Sequence, residues 1–89
     1  MDLSLHASDK LQAYGIEGER FQGWQTALHR GEPFLDVSSG ASGLVISWEG
    51  RPWVVILSNS ALKLVTTYPT DERTVANRRG GGLWIFPNN

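Results

Sequence analysis

The 89-residue chain contains no cysteine. That absence removes disulfides, thiolate metal sites and cysteine nucleophiles together. Two histidines, His6 and His29, are too few for a structural zinc site, so neither a metal nor a cofactor is expected. No apolar run approaches the ~20 residues of a membrane span, and the N-terminus lacks the basic and apolar regions of a secretory leader. Starting at Met1 without such a leader points to action in the cytoplasm of its own cell; the other reading is the tip of a larger exported toxin. No internal repeat and no linker-like stretch divides the sequence. Charge is sparse as well, at 19% of residues with a net of −1.

What is present suits one domain over residues 1–89. The chain is 40% hydrophobic, with four Trp, two Tyr and three Phe, enough for one modest core. A core of this size supplies roughly 3–5 kcal/mol, so partner binding or association as a homodimer would add to it. The small net charge hides an asymmetry. Residues 1–50 sum to −4 and residues 51–89 to +3, which would let a basic face meet an anion on a near-neutral molecule.

Periodicity predicts an α+β fold. Leu3, Ala7, Leu11 and Tyr14 recur at helical spacing, with Ser4 as N-cap and Gly15 as the residue closing the helix. Phe21, Trp24, Ala27 and Leu28 mark a second helix from Glu17 or Gly18 to His29, stopped by Gly31. After Pro33 the period becomes two. Strands are expected over Phe34–Val37, Leu44–Trp48, Trp53–Leu57 and Leu62–Tyr68, with turns at 38–43, at Glu49-Gly50-Arg51 and at Asn59-Ser60. Leu62, Leu64, Thr66 and Tyr68 fall on one face of the last of these by alternation. A short helix from Asp71 to Arg79, the Gly80-Gly81-Gly82 break and an edge strand over Leu83–Phe86 complete the reading. These elements make two N-terminal helices followed by an antiparallel sheet of three to five strands.

Few residues carry chemistry. His6 and Lys10 are four apart, so their side chains leave one helix face about a turn from each other. A histidine titrates near neutrality and can act as general base or acid; the plain alternative is an exposed histidine without a role. His29 fits a structural place at a helix C-terminus. Thr66 and Tyr68 offer two hydroxyls that could donate to a phosphate. Arg73, Arg78 and Arg79 could meet a nucleic-acid backbone or merely solvate a face. The triple glycine lacks the lysine and Ser/Thr of a phosphate loop.

The order of these features resembles a family of small bacterial domains allied to RelE-like toxins, within the barnase, EndoU, colicin and RelE group. The resemblance rests on His6-Ala7, Lys10, Gly15-Ile16 and Leu28–Gly31 in the opening segment, and on Thr66-Thr67-Tyr68-Pro69. Gly80-Gly81-Gly82 and Trp84 are similar to the end of toxin domains delivered between competing bacteria. Lys10 stands where the group often has arginine, and Tyr14 where a second arginine is common. The resemblance implies two N-terminal helices packed on one face of a curved antiparallel sheet, and a metal-independent ribonuclease that uses a ribose 2′-hydroxyl as nucleophile and is neutralised by a cognate antitoxin or immunity protein. His6 would be base or acid, Lys10 and Arg73 the electrostatic stabilisers, and Thr66 and Tyr68 the phosphate donors. Arg78 and Arg79 would bind RNA.

The competing expectation is a protein-binding module of phage or mobile-element origin, docking on a host protein through Trp48, Trp53 or Trp84. Geometry separates the two. The nuclease needs His6, Lys10, Thr66 and Tyr68 to converge on one solvent-open concavity, and His6 and Tyr68 facing opposite sides of the sheet would defeat it.

Overall fold

The computed structural model describes residues 2–59 and 63–87. Ser60, expected in a turn, and Leu62, expected to open a strand, lie outside them. The chain folds as an α+β domain in the order β1 (Asp2–Leu3), α1 (Leu5–Ala13), α2 (Gly18–His29), β2 (Glu32–Asp36), β3 (Ser42–Trp48), β4 (Arg51–Leu57), β5 (Lys63–Pro69), α3 (Glu72–Gly80) and β6 (Trp84–Ile85). Six strands form one sheet in the order β1-β5-β4-β3-β2-β6. The meander β2 to β5 is antiparallel, as expected. The two-residue β1 was not expected, and it pairs parallel to β5, so the sheet is mixed.

Local chemistry accounts for the first helix. Ser4 Oγ accepts from the Ala7 N–H at 3.0 Å, satisfying one orphan donor of the first turn. At the other end Gly15 sits at φ +71°, where a side chain would be strained. Its N–H donates to Gln12 C=O and the Ile16 N–H to Leu11 C=O, the paired bonds of a left-handed helix stop. Ile16 and Leu11 are both buried in one cluster, so the stop is also a packing contact.

The β3–β4 hairpin turns on two residues. Glu49 at φ 50° and Gly50 at φ 81° supply the two positive angles that a tight hairpin with right-handed twist requires. Arg51, expected in the turn, instead pairs with Trp48 as the first residue of β4.

The sheet has a core on each face. Ala7 and Leu11 of α1, Ile16 and Trp24 pack with Ile46, Trp48, Trp53, Val55, Leu57 and Leu64 on one side. Phe34, Val54, Trp84 and Phe86 form a second cluster on the other, with Val45, Ile56 and Val75 against it. Each aliphatic or Phe side chain so buried contributes about 1.5–3 kcal/mol. The apolar run of β4 is explained by this division, since Trp53, Val55 and Leu57 face one core while Val54 and Ile56 face the other. Phe34 stacks on Trp84 with ring centroids 4.4 Å apart. The opposing residue of β3 is Gly43, where a Cβ would lie 2.5 Å from the Phe34 ring.

Two expectations about side-chain placement are corrected here. Trp24, Trp48, Trp53 and Trp84 are all buried, so Trp48, Trp53 and Trp84 fill cores and do not form a docking surface. In β5 the pairs Val54↔Tyr68, Val55↔Thr67 and Ile56↔Thr66 are followed by Leu57↔Leu64, with a register shift between Ile56 and Leu57. Val65 is the extra residue of a β-bulge, and such a residue reverses the alternation. Thr66 and Tyr68 therefore stand on the face opposite Leu64, not beside it.

Candidate functional site at the outer edge of β5

α1 is tied to β5 directly. β1 pairs with Lys63 and Leu64. The Ser4 N–H donates to Leu64 C=O at 2.9 Å and Ser4 Oγ donates to Val65 C=O at 2.7 Å. Near the far end of the helix, Tyr14 meets Trp53 edge-on at 5.1 Å. α1 thus runs along β5, against the face that holds Leu64.

The two flanks of α1 differ. Ser8 and Gln12 line a cavity with Gly18 and Phe21, so that flank is turned to α2. His6 and Lys10 lie on the opposite flank, since a side chain rotates about 100° per residue around the helix. α2 lies inboard, over β3, which turns His6 and Lys10 outward past the edge of β5. His6 is exposed and Lys10 half-buried. Beyond Leu64 no strand pairs with that edge among the described residues.

Thr66 and Tyr68 leave β5 on the other face, that of the second core and α3. Thr66 is half-buried, and Tyr68 is 38% exposed. Burial pushes the Tyr68 hydroxyl above its ordinary value of 10.0; the Arg78 charge opposes this and the Asp36 charge adds to it. At neutral pH the phenol is therefore a proton donor. Among the described residues no hydrogen bond or ion pair joins His6 or Lys10 to Thr66 or Tyr68.

The single concavity expected for the four groups is not formed, and His6 and Tyr68 face opposite sides of the sheet, the arrangement that defeats a nuclease site built from all four. They divide into a helix pair turned outward at the edge of β5 and a strand pair on the face opposite α1. Thr67, between the two hydroxyl residues, is fully buried and donates to Val54 C=O at 2.8 Å, a structural role.

The arginines of α3 also divide. Arg79 pairs with Glu32 and lies 4.0 Å from the Phe86 ring centroid. Arg78 sits over the Trp84 ring at 5.4 Å. Arg73 makes no side-chain hydrogen bond, ion pair or ring contact among the described residues, and of the three arginines only it presents its charge without any of these. His29 is exposed at the end of α2. Asp36, which periodicity left without a role, organises the loop after β2: its Oδ1 accepts from the Ser38 hydroxyl at 2.8 Å and from the N–H groups of Ser38 and Ser39. Its Oδ2 accepts from Trp84 Nε1 at 3.3 Å. These bonds, the Ser38 hydroxyl foremost, hold its carboxyl below the usual 3.8.

Among the described residues no three metal-ligating side chains gather, and no helix is long and apolar enough to cross a membrane. The chain has no match among protein-family models, curated proteins or solved structures.

Proposed function

We propose that the chain is a protein-binding module that docks through the β2–β6 end of the sheet. The observation that carries this reading is an exposed aliphatic patch there. The ribonuclease reading needs His6, Lys10, Thr66 and Tyr68 on one concavity, whereas His6 and Lys10 leave the α1 side of β5 and Thr66 and Tyr68 leave the other.

Four residues make the patch. Leu35, Val37, Leu83 and Ile85 are 42–52% exposed. Leu35 pairs with Ile85 and the Val37 N–H donates to Leu83 C=O, so the four form one aliphatic patch at the β2–β6 end. A contiguous apolar patch of this kind is what a protein-binding module would use.

Expression in a bacterium separates the two. The nuclease reading expects growth arrest and degraded RNA with the native chain, and normal growth with His6→Ala. Intact RNA with both, together with a partner lost on Leu35→Ser and Ile85→Ser, would establish the binding module instead.

A further inference from the structure

α3 is held differently from the other helices. α1 buries Ala7 and Leu11 and α2 buries Trp24, whereas no residue of α3 is buried. Val75 alone rests, half-buried, against the second core. The fastenings are polar and lie at the two ends. Asp71 caps the first turn by accepting from the Thr74 N–H at 2.7 Å, and the Thr70 N–H donates to Pro52 C=O at 2.8 Å. At the far end stand the Arg79–Glu32 pair and the arginine contacts with Trp84 and Phe86. Both partners of that ion pair are about half exposed, where water and salt weaken it.

Beneath α3 runs a groove of about 560 Å³, whose lining includes Glu32, Val45, Ser47, Pro52, Val75 and Arg79. Gly80-Gly81-Gly82 follows, with Gly82 at φ +74°, a backbone setting that glycine reaches at little cost. A polar helix with one apolar anchor, a groove below it and glycines at its end is a strap that can leave the sheet without unfolding it.

We infer that α3 opens as a hinged strap, with Arg79 and Glu32 as its latch, uncovering the groove beneath it. The opening stands on the packing alone.

Amide hydrogen exchange of the full chain tests the opening. Amides bonded within α3, such as those of Val75 and Gly81, should exchange well ahead of those of β4. Glu32→Gln should speed them about 1.5- to 5-fold, the range for losing an exposed pair, and leave β4 unchanged. Gly80→Ala, at a position where a Cβ meets nothing within 4 Å, should slow them roughly two- to fivefold by favouring the helix. Equal exchange in α3 and β4, or an α3 rate that neither substitution moves, would overturn the strap.

Discussion

Gly43→Ala probes how the second core is built. Gly43 faces Phe34 across the β2–β3 ladder, and the Phe34 ring lies flat over the bare backbone, as aromatic side chains do beside a strand glycine. A Cβ there would sit 2.5 and 2.6 Å from two ring carbons and 2.7 Å from Val55 C=O. The ring stacks on Trp84 and meets Phe86 at a tilt, which leaves it little room to move, and the carbonyl belongs to the sheet. Overpacking of this kind costs typically 1–3 kcal/mol, partly offset by roughly 0.5–1 kcal/mol for replacing a strand glycine. Three close approaches at once keep the net loss off the bottom of that range, at about 1–2 kcal/mol, which lowers Tm by about 4–16 °C in a domain of this size. Urea and thermal unfolding followed by tryptophan fluorescence measure it. In a Phe34→Leu background the loss should shrink, a coupling of about 0.5–3 kcal/mol in a double-mutant cycle. A Gly43→Ala variant within 0.5 kcal/mol of the native chain would refute the packing argument.

Three smaller effects follow from the same geometry. Ser4→Ala loses the cap of α1 and its bond to Val65, and should lower unfolding stability by about 1–2 kcal/mol with an unchanged urea m-value. Asp36 has a lowered folded value, so its contribution is present above pH 3.8 and is lost as the pH falls through that lowered value. Asp36→Asn should flatten the acid limb of stability measured from pH 5 to 2, and an unaltered limb would contradict the assignment. Tyr68 has a raised folded value, so its contribution is full below pH 10.0 and lost as the pH rises through the raised value. Tyr68→Phe should reduce alkaline destabilisation above pH 10.

The sequence announces most of the fold because local chemistry and global packing agree there. Ser4, Gly15 and the 3-7-11-14 spacing define α1, and Glu49-Gly50 places the hairpin almost unaided. β1 escapes because two residues show no period, and because its partner is sixty residues away. The bulge at Val65 escapes for another reason. Val, Thr and Tyr are all ordinary strand residues, so nothing in Val65-Thr66-Thr67-Tyr68 marks where the alternation reverses, and the hydroxyl pair moves to the other face. Tryptophans read as docking residues are consumed by two cores that a chain of 89 residues must fill from both faces of one sheet. Arg78 and Arg79 look free in sequence but lie against aromatic rings that only the return of β6 brings near. His6 and Lys10 were legible as a one-turn pair; their outward aim depends on where α2 lies, which spacing does not encode.

The central claim is that the exposed patch of Leu35, Val37, Leu83 and Ile85 is a protein-docking surface. A partner captured by the native chain should be lost when Leu35→Ser and Ile85→Ser are combined, with urea unfolding followed by tryptophan fluorescence showing the fold kept, and polyuridylate should stay whole with the native chain in the presence of EDTA. A partner retained by the doubly substituted chain, or polyuridylate cleaved by the native chain and spared by His6→Ala, would contradict it.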